Sequence, residues 1–236
     1  MIHGLGGAKE NFWESMKSKD LIDYCLISFD NPGTGNSTYY DDFPLEVDDL
    51  ANITADFIRK LKLTNFILTG TSMGGLTTLL YLRQADIKNI KGYINIEGNL
   101  LPEDCMFSSK VVTHQYDHFA NDVFSQTIID MKKNGNPGYY VIANNLEMNT
   151  NIKSYYHYSF QTVSYSSTGE LIDQFVNLAI PRIFIYGEKN SGLSYIRRLK
   201  QMGLPASMIP GSAHFIFYDN PKALYKSIAE FAGTLE

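Results

Sequence analysis

The sequence predicts an α/β protein built on a mostly parallel central sheet flanked by helices. Strand-length apolar runs alternate with helical periodicity, and the strand, helix, strand repetition is the pattern of a parallel sheet. The alternation breaks once, between about residues 101 and 178, where aromatic residues accumulate and no strand-like run fits.

The apolar runs are Tyr24–Phe29, Asn65–Thr69, Tyr93–Ile96, Arg182–Tyr186 and Ala206–Ile209. Between the first two, Val47, Leu50, Ile53, Phe57, Ile58 and Leu61 recur every three or four residues, which predicts a helix packed on the sheet. Residues 101–178 are expected to form a helical lid inserted into a core made of 1–100 and 179–236. The rings there, among them Tyr116, Phe119, Phe124, Tyr155, Tyr156 and Phe160, are expected mainly to hold the lid together.

Composition excludes several classes. At 236 residues, 44% hydrophobic and 19% charged, the chain can build one large domain with an insertion. The net charge of -5 is spread along the sequence with no long basic run, so nucleic acid is not an expected partner. No apolar stretch approaches the roughly 18 residues needed to span a bilayer, and no secretory leader is evident. Cys25 and Cys105, at no metal-like spacing, are expected to be reduced, buried thiols, which favours a cytoplasmic location. A small molecule is the expected partner.

Gly70-Thr-Ser72-Met-Gly74 matches G-x-S-x-G, and Gly75 follows. The bare pattern is weak, but Phe66–Thr69 precedes it as a strand and Leu76–Leu82 follows as a helix, the strand, sharp turn, helix that exposes a nucleophilic serine. The same stretch fails as a P-loop because Leu76 stands where lysine is essential, and neither Gly4-Leu-Gly6 nor Gly33-Thr-Gly35 completes a dinucleotide fingerprint. No cofactor is called for. The amide of Met73, and that of Leu5 in His3-Gly-Leu-Gly-Gly7, are candidate donors to an oxyanion. His214 lies in a loop after the last short strand, where a base can reach a serine at the carboxyl edge of the sheet. His114 and His118 could share a helix face, but a third metal ligand is not apparent.

With these motifs in this order, together with Asp30-Asn-Pro-Gly33-Thr-Gly35-Asn-Ser37, the sequence resembles the α/β-hydrolase superfamily over essentially its whole length. The resemblance implies a lid domain and a serine, histidine, acid triad, and it gives the Asp30 segment a structural role. Two departures stand out. Only Met1 and Ile2 precede His3, so the N-terminal strands of the family are expected to be missing, one of them from between Tyr24–Phe29 and Phe66–Thr69; the expectation is an upstream start or a truncated copy. The usual acid position reads Gly187-Glu-Lys-Asn190, and Asn190 cannot carry the charge that stabilises an imidazolium. Glu97, closing the preceding core strand, becomes the expected acid, with Glu188 the alternative.

The expected function is hydrolysis of a small carboxylic ester or related acyl compound through an acyl-enzyme on Ser72, with His214 as base. A catalytically silent binding protein and a cofactor-free oxygenase are the alternatives on the same scaffold.

Overall fold

The structure, a computed structural model, describes residues 1–134 and 136–235. Four parallel strands in sequential order form the sheet: β1 (Phe66–Thr71), β2 (Ile90–Ile96), β3 (Arg182–Gly187) and β4 (Ala206–Ile209). The predicted helix is α1 (Val47–Lys60); α2 (Met73–Gln84) leaves β1 through the serine turn. Between β2 and β3 run short helical turns and then α3 (Phe124–Lys133), α4 (Pro137–Asn149), α5 (Ile152–Ser166) and α6 (Glu170–Asn177). After β3 come α7 (Ser194–Gln201) and, beyond β4, α8 (Pro221–Gly233).

The central strands β2 and β3 are buried on both faces, and their alternation sorts side chains by shape. Tyr93, Phe184 and Tyr186 join Leu76, Leu79 and Phe175 on one side. Ile94, Ile96, Ile183, Ile185 and Ile209 join Leu224, Tyr225 and Ile228 of α8 on the other. A period of two therefore puts rings on one face and branched aliphatics on the opposite one, which is how a doubly covered parallel strand reads as a continuous apolar run.

The stretch Tyr24–Phe29 departs from the expectation of a strand. It is irregular and joins no ladder among the described residues; the Met1 ammonium donates to Ile27 O at 2.7 Å. Ile2 pairs instead with β1, donating to Thr69 O at 2.8 Å and accepting from Thr71 N at 3.0 Å. A groove of about 470 Å³, bordered by Ile27, Phe29, Phe57 and Ile67, separates the two segments below that point. An apolar, β-prone sequence forms a strand only where a neighbour supplies its hydrogen bonds. Cys25 is on this segment and is exposed, contrary to expectation; Cys105 is buried, and both are free thiols.

In the segment between β2 and β3 the rings pack mainly on one another, as expected. Phe119 and Tyr155 stack at 6.2 Å between centroids, and Tyr156 meets Tyr116 at 5.2 Å and Phe160 at 4.9 Å. His114 and His118 do touch, at 5.2 Å, but His114 sits in the bend before the helical residues 116–118, so the two do not share a helix. Among the described residues no group of three or more His, Cys, Asp or Glu is disposed to hold a metal, and no helix is long and apolar enough to cross a membrane.

Asp30 ties two loops together. Its carboxylate accepts from Lys9 N at 2.7 Å, Lys9 Nζ at 2.6 Å and Asn36 N at 3.0 Å. Burial by itself would raise the carboxyl pKa; the Asn36 amide and the Lys9 ammonium outweigh it, and the net shift is downward. Gly35 closes this loop at φ +55°, where an added Cβ would lie 2.4 Å from Asp30 Cγ. Gly35→Ala should therefore lower stability by about 1–3 kcal/mol in urea denaturation, because both backbone strain and a side-chain clash oppose it. A change below about 0.5 kcal/mol would contradict this account of the loop.

Candidate active site

Ser72 stands between β1 and α2 with φ 53° and ψ −127°, a region that non-glycine residues rarely occupy. The turn is tight because its neighbours approach to contact. A Cβ on Gly74 would lie 2.3 Å from Ile2 O, and one on Gly4 would lie 2.7 Å from Ser72 Cβ. Only glycine lets the first turn of α2 and the His3-Gly4 loop close around the serine.

That loop is held from behind by His3, which is fully buried. Its Nδ1 lies 2.8 Å from Gly4 O, and its Nε2 accepts from Asn31 N at 2.9 Å. An acceptor role for Nε2 requires the proton on Nδ1, so both contacts are made by the neutral ring. Desolvation lowers the His3 pKa from its ordinary 6.5, against a smaller opposing effect of the Gly4 carbonyl. The loop thus presents Leu5 to the pocket that Ser72 and Met73 also border. Among the described residues neither the Leu5 nor the Met73 amide donates to a protein acceptor. Met73 is the first residue of α2, where no helical acceptor exists for its N–H.

Glu97 follows β2 directly, at φ 43°, and is buried. Its position is set by the preceding residues. Asn95 donates through Nδ2 to the Tyr93 hydroxyl at 2.9 Å and accepts from Gly98 N at 2.6 Å, which bends the chain immediately after Glu97. The carboxylate then accepts three donors: Gly187 N at 2.7 Å, Asn190 Nδ2 at 2.7 Å and His214 Nδ1 at 2.8 Å. Asn190, the amide at the usual acid position, is therefore a donor to the carboxylate, a partnership that sequence reasoning missed because the residues are 93 apart in the chain. Glu188 points elsewhere, accepting from Gly211 N at 2.8 Å.

His214 is also buried, beside Phe107 and Phe215, and its loop is fixed by Asp219, which accepts from Ala213 N at 2.7 Å. With Nδ1 donating to Glu97, the lone pair is left on Nε2. His214 and Ser72 border the same pocket, of about 30 Å³, with Met131, Ile142, Leu146 and Tyr155 contributed by the helical segment. Among the described residues Ser72 Oγ makes no hydrogen bond; such contacts often tighten only when substrate is present. Asp104 borders the pocket too, and burial pushes its pKa up to about 6 against the amides of Leu101 and Leu100. The arrangement can do nucleophilic chemistry: a hydroxyl bordering the pocket, an imidazole with an oriented proton, a buried carboxylate behind it, and two amides without a protein acceptor among the described residues.

The sequence model of the alpha/beta hydrolase fold family matches residues 1–221, and the chain belongs to that family. Solved structures superpose over nearly the whole chain at low identity. A thermophilic esterase from Thermogutta terrifontis is 16% identical with a TM-score of 0.73, covering 99% of this chain and 88% of its own. MenH from S. aureus is 15% identical, with a TM-score of 0.77 and coverages of 99% and 92%. The N-acyl homoserine lactonase AidH, complexed with N-butanoyl homoserine, is 14% identical, with a TM-score of 0.78 and coverages of 100% and 88%. No curated protein sequence matches the chain.

The neutral state of His3 gives a pH dependence with a defined sign. A histidine whose folded pKa is lowered contributes its full stability above the unfolded value of 6.5 and loses it as pH falls from there towards the folded value. The melting temperature of wild type should exceed that of His3→Gln at pH 7, and the gap should shrink steadily towards pH 5. A gap that stays constant over that range would contradict a buried neutral His3.

Proposed function

We propose that the chain is a serine hydrolase of a small carboxylic ester or related acyl compound, acting through an acyl-enzyme. The observation that supports this most directly is the buried Glu97–His214 hydrogen bond of 2.8 Å at the pocket that Ser72 borders. The esterase and lactonase named among the structural neighbours act on the same bond type, which is further support.

In this reading Ser72 is the nucleophile, His214 the general base and Glu97 the acid. His214 Nε2 takes the Ser72 proton as Oγ attacks the acyl carbon, and the resulting oxyanion accepts from the Leu5 and Met73 amides. The imidazolium returns its proton to the leaving alcohol as the carbon–oxygen bond breaks. A water then gives a proton to His214 and attacks the ester of Ser72, and the acid departs as Oγ is reprotonated. Glu97 holds the ring in the tautomer this requires and balances its transient charge. The helical segment between residues 101 and 178 serves as the lid, and no metal or other cofactor takes part.

Two sets of variants test the assignment. Ser72→Ala and His214→Ala should each remove at least about 99.9% of p-nitrophenyl acetate turnover while the far-ultraviolet circular dichroism stays unchanged, and a fluorophosphonate should label wild type but not Ser72→Ala. Near-wild-type turnover in either variant overturns the Ser72–His214 assignment, and a wild type that neither turns over ester nor reacts with the probe overturns the hydrolase reading in favour of a binding protein on this fold. Glu97→Gln should lower kcat at least about a hundredfold, whereas Asn190→Ala and Glu188→Gln should change it less than about tenfold. The reverse order would move the acid to Glu188.

A further inference from the structure

Asn145, on α4 in the helical segment between β2 and β3, reaches back to the first loop of the chain. Its Nδ2 donates to Gly6 O at 2.6 Å, across 139 residues of sequence. A carbonyl oxygen only accepts, so the atom that faces Gly6 O is the amide nitrogen, and Asn145 Oδ1 is left to accept from Asn149 Nδ2 at 3.3 Å, one helical turn further on. The carboxamide is therefore oriented by both of its ends.

The turn it grips is the one that carries the Leu5 amide. Gly7 N donates to Gly4 O at 3.0 Å, which puts Leu5 and Gly6 at the centre of a four-residue turn, and Gly6 has φ +66°, the left-handed value that a type II turn takes at its third residue. Three of the four residues are glycine, so the turn itself does little to fix its torsions. Only the backbone bonds of Leu5 and Gly6 separate Leu5 N from Gly6 O, and with Gly4 O held at the base by His3 Nδ1, an anchor on the carbonyl restrains the amide. Packing backs the hydrogen bond: a Cβ on Gly6 would lie 2.3 Å from Leu146 Cδ2 and 3.0 Å from Tyr155 Cε2. Ile142, Asn145 and Leu146, three and four residues apart, share one face of α4, and Ile142 and Leu146 border the pocket together with Leu5 and Ser72. The Met73 amide needs no such help, because α2 fixes it.

We propose that Asn145 is a positioning residue for the oxyanion site: it holds the Gly4–Gly7 turn so that the Leu5 amide faces the acyl oxygen, which makes one of the two oxyanion donors depend on the docking of α4. The inference rests on the hydrolase reading above and deepens it. An oxyanion donor acts only if it is aimed before charge develops, so loss of the anchor removes transition-state stabilisation and leaves ester binding nearly unchanged.

The test is the pair Asn145→Ala and Asn145→Asp, the second close to asparagine in size but, when ionised, without the N–H donor. Turnover of p-nitrophenyl acetate gives kcat and KM. Trifluoroacetone gives an inhibition constant for an oxyanion, because Ser72 Oγ adds to its carbonyl carbon, the Ser72 proton passes to His214 and the ketone oxygen takes the negative charge. All values are expressed per site labelled by a fluorophosphonate at completion, so misfolded protein does not enter. Both variants should lower kcat at least about tenfold with KM within about threefold of wild type, and the inhibition constant should rise by about the factor by which kcat falls. A smaller fall in kcat in either variant overturns the proposal. So does a fall in kcat with ketone affinity unchanged, or a rise in KM alone, and variants too unstable to be labelled at all would assign Asn145 to the fold and overturn it too. A wild type that neither reacts with the fluorophosphonate nor turns over ester fails earlier, at the hydrolase reading, before any variant is compared.

Discussion

The carboxylate of Glu97 is the point on which this site depends. A buried carboxylate is tolerated only when donors replace the water it has lost, and three do so here from two parts of the chain: Gly187 at the end of β3 with Asn190 just after it, and His214 in the loop beyond β4. Hydrogen bonds to a charged group contribute about 1.5–3 kcal/mol each, more than neutral ones. The charge therefore fixes the loop ends relative to one another and gives the imidazole a single orientation. Each loop is also braced locally, by Lys189 N donating to Ser212 O at 3.0 Å and by Asp219 accepting from Ala213 N.

Strain is concentrated at the same edge. Ser72 and Glu97 both have positive φ, and each follows a core strand without an intervening loop. Such conformations cost on the order of 1–3 kcal/mol each and persist where the surroundings over-determine them. Here the over-determination is visible on both sides: Ser72 N donates to Ile96 O at 3.2 Å, and Glu97 N donates to Ile185 O at 2.9 Å. Adjacent parallel strands thus lock each other's terminal turns, and each strained residue is held by the strand beside it.

Local patterns were legible in the sequence wherever one strand or one helix sufficed to define them. β3 and β4 begin at the expected residues, and α1 runs almost as its apolar spacing predicts. The serine turn could be read because strand, glycines and helix are contiguous, and Glu97 could be singled out because it closes a strand run. What the sequence hid depends on distant partners. Tyr24–Phe29 has strand composition but lacks a ladder, Cys25 looks like a core residue but borders an open groove, and His114 has helical spacing to His118 but precedes the helix. Asn190 was legible only as the absence of an acid; its role as a donor required knowing that Glu97 reaches it.

In the proposed assignment, that pairing accounts for an acid one strand earlier than in the enzymes the sequence resembles, with His214 still within its reach. Glu97 leaves β2 and crosses to the end of β3, where it meets the Gly187 amide. It thereby brings its charge to the place that a residue at position 190 would otherwise occupy. A second carboxylate there would repel Glu97 in a buried setting and raise the pKa of one of them. An amide of the same size instead offers Nδ2 to Oε2, the oxygen that also accepts from His214. The move of the charge and the neutral residue at position 190 are one arrangement, since a buried site of this size accommodates one carboxylate and needs its remaining lone pairs filled by donors.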